Sequence, residues 1–230
     1  MKKVFLSLLL ASFLNAGELN IAAAANISYP LEELKAAFNE KYPDIKLVIN
    51  TGASGGFNSQ IKNGADFDVF LAANMDFATD LENLTKNKAT SYAKGRLLLF
   101  APKKDANLKG LENASCIAIA NPKTAPYGKA ATEVLAKVKN SNKIIQATSI
   151  AATLSQTINA CEYGFIAASS KAELLKLGYK DENMLLVDEN LHEPILQGMI
   201  IVKNSEDAKK FYDFILSDEA KAIFNKYGYE

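Results

Sequence analysis

Lys46-Leu47-Val48-Ile49-Asn50-Thr51-Gly52-Ala53-Ser54-Gly55-Gly56-Phe57 is the stretch on which the fold turns. It runs from an apolar strand, through a glycine-rich turn centred on Ser54, into a helix predicted over Phe57 to Lys62. At such a turn the first N–H groups of the helix have no intrahelical acceptor, and the helix dipole favours negative charge there. Gly52-Ala53-Ser54-Gly55-Gly56 also spells G-x-S-x-G, the nucleophile elbow of many hydrolases. One reading binds an anion; the other cuts a substrate.

Outward from this turn the same alternation continues. Leu19 to Ala25 reads as a strand. Leu31, Leu34, Phe38 and Tyr42 then fall on one helical face, with Ser28 as the predicted N-cap and Pro30 tolerated in the first turn. Lys46 to Asn50 and Phe67 to Ala73 supply the next strands, completing a βαβαβ run. That pattern implies an α/β fold with a mostly parallel sheet flanked by helices. After the apolar stretch Leu97 to Ala101 a second βαβαβ run follows. Its strands are Cys116 to Ala120, Lys143 to Ala147 and Gly164 to Ala168, and its helices Gly128 to Val138 and Ala151 to Ala160. The apolar run Ile195 to Val202 leads to a terminal helix face of Ala208, Phe211, Tyr212 and Ile215, continued through Phe224.

Two similar lobes joined by extended segments at 97–101 and 195–202 predict a chain that crosses between them twice. Two crossings make a hinge, and the inter-lobe cleft is the natural ligand site. The expected division is lobe 1 over 17–97 plus 200–230 and lobe 2 over 98–199. Ligands of parallel sheets sit outside the carboxyl ends of the strands. Four loops qualify, each following a strand and opening a helix: Ala25 to Ser28, Gly52 to Gly56, Asn121 to Gly128, and Thr148 to Ile150.

Residues 1–16 read as a cleavable signal peptide. Lys2 and Lys3 precede an apolar run, Val4 to Leu14, too short to span a bilayer, and Asn15-Ala16-Gly17 offers the cleavage point. Export to the periplasm is therefore expected. Cutting after Ala16 leaves 214 of the 230 residues. Removing Lys2 and Lys3 from the 26 basic residues leaves 24 against 26 acidic ones, a near-neutral balance that argues against a nucleic-acid partner. Arg96 is the only arginine, so a bidentate clamp has one candidate. One histidine and two distant cysteines supply no metal-ligand cluster. Cys116 and Cys161 lie at the starts of predicted strands of the same half. In an exported chain they are either a disulfide or two buried thiols.

The hydrolase reading needs a histidine base and an acid to orient it. His192 is the single histidine, and Asp188 precedes it in the required order. Only two strands lead up to Ser54, however, whereas that fold sets its elbow deep in the sheet. His192, in Asn190-Leu191-His192-Glu193-Pro194, is expected to face solvent. The anion reading gains from the companion loops. Ala22 to Ala25 are small enough to let a ligand reach the backbone before Asn26. Thr148-Ser149 is a second hydroxyl-rich helix start, and Tyr127, between Pro126 and Gly128, either closes over the site or packs with its hydroxyl in water.

With these loops in view the chain resembles the ModA family of periplasmic molybdate-binding proteins of ABC importers, type II solute-binding proteins. The resemblance covers essentially the whole mature chain. It rests on Ala22-Ala23-Ala24-Ala25-Asn26, on Gly55-Gly56 with Gln60-Ile61-Lys62-Asn63-Gly64-Ala65, and on Phe67-Asp68-Val69-Phe70-Leu71-Ala72-Ala73. Ala120-Asn121-Pro122, Pro126-Tyr127-Gly128 and the ending Ala222-Ile223-Phe224-Asn225-Lys226-Tyr227-Gly228 add to it. It implies a two-lobed periplasmic-binding-protein fold with no enzymatic activity and no cofactor. The implied ligand is molybdate or tungstate, held in the cleft by backbone N–H and hydroxyl donors. Molybdenum or tungsten would enter only as the oxyanion, without direct protein ligands. Carried over by position, the binding residues are Asn26, Ser54, Tyr127 and Ile150, with Ala25, Gly55 and Ser149 as neighbours. The implied partner is the membrane permease of an ABC importer, served by a monomeric binding protein.

Two departures bear on the donor set. Many members carry serine where this chain has Asn26. Some also place a tyrosine hydroxyl after the last strand of the second lobe, where this chain has Ala167; Tyr127 is the candidate replacement as an aromatic wall. The alternative readings are a binding protein for sulfate or a small organic anion and, remotely, a serine hydrolase using Ser54.

Overall fold

The computed structural model describes residues 17–230, so the expected leader at 1–16 lies outside the described residues. The strands are β1 (Gly17–Ala24), β2 (Ile45–Gly52), β3 (Val69–Ala72), β4 (Thr90–Gly95), β5 (Leu97–Phe100), β6 (Ile117–Ala120), β7 (Ile144–Ala147), β8 (Tyr163–Ala167), β9 (Met184–Leu186) and β10 (Ile195–Ile201). The α-helices are α1 (Ser28–Lys41), α2 (Ser54–Lys62), α3 (Met75–Thr79), α4 (Glu82–Thr85), α5 (Pro126–Lys137), α6 (Ile150–Ala160), α7 (Lys171–Lys176), α8 (Glu206–Ile215) and α9 (Asp218–Lys226).

They build two five-stranded sheets, ordered β2-β1-β3-β10-β4 and β7-β6-β8-β5-β9. In each, the three strands of the βαβαβ run are parallel; one reversed strand, β10 or β5, follows, and an outer strand, β4 or β9, pairs antiparallel with it. Both faces of each sheet are covered, which the side-chain alternation of a strand requires. Leu19, Ile21 and Ala23 of β1 join Leu31, Leu34 and Phe38 of α1 and the apolar face of α8 in one core. Ala22, on the opposite face, packs with Phe57 and Ile61 of α2. The second half repeats the plan. Leu97 and Leu99 pack with Ala131 and Val134 of α5, while Leu98 and Phe100 pack with Leu154 of α6.

The chain crosses at Arg96, between β4 in the first sheet and β5 in the second. It returns before Ile195, because β10 pairs with β3 and β4 along its length. Residues 195–199, expected in lobe 2, thus lie in the first sheet. An apolar run satisfies either sheet equally, and only the pairing partner decides. The crossing is tied by ion pairs: Arg96 Nη1 to Glu230 Oε1 at 2.6 Å, and Lys94 Nζ to Glu189 Oε1 at 2.6 Å and to Glu230 Oε2 at 2.9 Å. Lys94 and Arg96 hold the Glu230 carboxyl below the usual carboxylate range.

Cys116 and Cys161 form a disulfide with Cα atoms 4.8 Å apart. The topology explains the proximity: β6 and β8 are parallel neighbours with Ile117 opposite Tyr163, so their starting ends coincide. The bridge spans 45 positions of sequence. On the chain-entropy model a loop of that length stabilises the fold by about 4 kcal/mol.

Helix starts differ slightly from expectation. Ser28 is the first residue of α1 rather than its cap, and its Oγ donates to Ala25 O at 2.8 Å. Residues Ala25–Ile27 form a 3-10 turn that leads into the helix. In the same way α2 begins at Ser54 and α5 at Pro126, earlier than apolar periodicity alone places them.

Candidate functional site

All four helix-opening loops meet in one pocket. It is lined by Ala25 and Asn26 from the first, Ser54 from the second, Pro126 and Tyr127 from the third, and Ile150 from the fourth. Gly55 and Ser149 are neighbours in sequence that do not line it. The Gly55 N–H donates to Thr124 O at 2.8 Å, and Ser149 Oγ caps α6 by accepting from Ala152 N at 3.1 Å. Larger surface grooves exist, including one of about 520 Å³ beside Leu175 and Leu186. The small pocket is singled out by what converges on it, since helix N-termini from both halves of the chain open there.

Its polarity is that of a donor site without formal charge. No Lys, Arg, Asp or Glu is among its lining residues. Tyr127 and Ile150 stand in the first turns of α5 and α6, where backbone N–H groups lack intrahelical acceptors. Ser54 is 1 % exposed, and its Oγ accepts from Ala73 N at 2.9 Å. Accepting that bond uses a lone pair and leaves the hydroxyl proton free for another acceptor. The result is a small enclosure of neutral donors, suited to an anion that can only accept.

Asn26 is fixed more thoroughly than the sequence indicates. Its Nδ2 donates to Gln197 Oε1 at 2.8 Å and to the Tyr229 hydroxyl at 2.9 Å. Its backbone oxygen accepts from Ser169 Oγ and from the Tyr229 hydroxyl, both at 2.7 Å. Asn26 Oδ1 is buried without a partner. Gln197 in turn donates to Ala73 O at 3.3 Å and to Ile195 O at 3.1 Å. Sequence reasoning missed Gln197, Ser169 and Tyr229. A signal for the first existed, because Gln197 is the one amide within the apolar run Ile195–Ile201 and is fully buried.

Tyr127 takes the packing alternative, with its hydroxyl buried rather than in water. Its ring is 1 % exposed and fills the core by the crossing, where a Cβ on Gly95 would meet its hydroxyl at 2.1 Å. Burial raises its phenol pKa well above the ordinary value, and the nearby Tyr229 adds to that. The ring is a packing group at the hinge rather than a wall over the pocket mouth, and its first-turn N–H is what Tyr127 has left to offer.

His192 corrects an expectation. It is buried at 6 % exposure, with Nδ1 2.8 Å from Glu193 O, instead of facing solvent. Asp188 Oδ1 accepts from Asn190 N and Nδ2, both at 2.9 Å. Ser54, His192 and Asp188 share no hydrogen bond with one another and form no relay, which removes the physical basis of the hydrolase reading. Among the described residues no group of three or more His, Cys, Asp or Glu could hold a metal ion. No described helix is long and apolar enough to cross a membrane.

Two sheets joined by a double crossing, with helix N-termini from both converging on an uncharged pocket, define a solute-binding protein. Residues 19–230 match the family model for bacterial extracellular solute-binding proteins, and the chain belongs to that family, not to a family of enzymes. It is 37 % identical to the molybdate-binding protein ModA of Azotobacter vinelandii over 96 % of this chain and 93 % of that protein. Identity to ModA of Rhodobacter capsulatus is 35 %, over 93 % of this chain and 88 % of the relative. The solved periplasmic molybdate-binding protein of Azotobacter vinelandii superposes with a TM-score of 0.80 at 30 % identity, covering 92 % of this chain and 98 % of that one.

Proposed function

We propose that this chain is the periplasmic binding component of an ABC importer and captures molybdate, or its near-isostere tungstate, as the tetrahedral dianion. The observation that carries the reading is the convergence of four helix-opening loops, two from each half, on one small pocket without charged side chains. The molybdate-binding relatives, aligned over nearly the whole chain, support the same ligand.

In this reading 17–95 with 195–230 and 97–187 act as two lobes that close on the ligand about the crossing at Arg96. Ser54 donates its hydroxyl proton. Asn26, Tyr127 and Ile150 donate backbone N–H groups from first helical turns, and Ala25 borders the ligand. Closure replaces the dianion's water with these fixed donors, which need no reorganisation on binding. Neutral donors hold the charge without a salt bridge that would oppose release to the permease. The protein reaches its compartment by loss of the leader at 1–16 and works as a monomer, with the permease as partner and no nucleic acid.

Protein stripped of ligand, equilibrated with molybdate and desalted should co-elute with molybdenum in equimolar amount. Molybdenum eluting wholly with the salt contradicts the proposal.

A further inference from the structure

The Asn26 loop is held by a hydroxyl that sits 203 positions away in sequence. Tyr229 is 4 % exposed and its ring packs against Phe224, with centroids 5.5 Å apart. Its hydroxyl makes two bonds to one residue, accepting from Asn26 Nδ2 and donating to Asn26 O. That pair closes a ring which fixes the side-chain torsion and the peptide orientation of Asn26 together. Ser169, just beyond β8 in the second half, adds the other donor to the same carbonyl. The Asn26 peptide is thus gripped from both halves of the chain at the wall of the pocket. Gln197 takes the remaining amide hydrogen, so the amide cannot turn over without breaking two hydrogen bonds.

We propose that Tyr229, together with Ser169, is a positioning residue of the oxyanion site, holding the Asn26 loop so that its N–H is aimed at the ligand before the ligand arrives. The proposal rests on the oxyanion reading given above. Neither side chain is among the residues lining the pocket, so their action runs through Asn26. Burial pushes the Tyr229 phenol up to about 12, so it remains a hydrogen-bond donor throughout the neutral range. A loop held in its bound geometry gives up less freedom on binding, which appears as affinity and as slower release.

The test is a double-mutant cycle on the full chain, with molybdate as the probe and affinity read by calorimetry. Tyr229→Phe removes one oxygen from a packed ring and should weaken binding about tenfold, the scale of one well-placed hydrogen bond. In an Asn26→Ala background, which keeps the backbone N–H and carbonyl, the same substitution should cost clearly less, because one of the two bonds made by the hydroxyl is already gone and only that to the carbonyl remains. A purely structural tyrosine would lower the melting temperature equally in both backgrounds and leave the affinity ratio unchanged. Unchanged affinity in Tyr229→Phe overturns the proposal, as does a full tenfold loss that persists beside Asn26→Ala. If Tyr229→Phe does not fold, Ser169→Ala takes its place with its own criterion: its bond is to the Asn26 carbonyl, which Asn26→Ala keeps, so affinity should fall alike in both backgrounds, and unchanged affinity overturns the proposal. Wild-type protein that binds no molybdate overturns the oxyanion reading itself, and this proposal with it. Wild-type binding with one of these contrary variant results overturns only the positioning role.

Discussion

Replacing Ser54 by alanine weakens molybdate binding by about 1.5–3 kcal/mol, the range for removing a hydrogen bond to a charged group, or a factor of roughly 10 to 150 in affinity. The size follows from the geometry. Ser54 Oγ already accepts from Ala73 N, so its proton is oriented away from that bond and available to the anion. No lysine or arginine among the lining residues could make up the loss. The substitution also leaves the buried Ala73 N–H without its acceptor, at a cost to stability of about 1–3 kcal/mol. Affinity should therefore be measured by calorimetry at a temperature well below the lowered melting point. A Ser54→Ala protein that binds molybdate like wild type would show that the hydroxyl proton points elsewhere.

Gly55→Ala should cost a similar factor, about 10 to 150 in affinity, by a different route. Gly55 lies in the first turn of α2, and its N–H donates to Thr124 O across the cleft. A Cβ at this position would lie 2.8 Å from Thr124 Cα, which is main chain and cannot rotate away. The two halves must then stand apart by several tenths of an ångström or more. Donors from α5 and α6 would be stretched away from an anion anchored at Ser54, and a hydrogen bond weakens steeply on such stretching. The substitution touches no donor itself, so it separates closure from ligation. Calorimetry should show the loss, and small-angle scattering should show a ligand-bound form more open than wild type. Equal affinity and equal compaction would mean that the halves need not approach this closely.

Much of the fold was legible because it is local. The two βαβαβ runs follow from apolar periodicity and from glycine, serine and proline at the helix starts, and their parallel strands follow from the crossover helices. The pocket was legible for the same reason: each loop lies between a readable strand and a readable helix. What escaped the sequence was long-range. The edge strands β4 and β9, and β10 between β3 and β4, are assigned by partners far along the chain, so an apolar run alone places the return crossing several residues too late. Whether Tyr127 points outward or into the core depends on Gly95, which leaves room for its hydroxyl. The grip of Tyr229 on Asn26 joins opposite ends of the described chain, and no spacing rule reaches that far. The hydrophilic neighbours of His192 imply exposure only on average, and tertiary packing buries it.

The central claim, that the pocket takes molybdate or tungstate through neutral donors, is tested most directly by a thermal-unfolding series with molybdate, tungstate, sulfate and phosphate. Molybdate and tungstate should each raise the melting temperature, by an amount equivalent to about 2.7 kcal/mol when present at a hundredfold excess over Kd. Sulfate is smaller, and phosphate near neutral pH carries a proton that meets donors, so both should leave the transition where it was. No shift with molybdate, or a shift with sulfate as large as that with molybdate, would contradict the account.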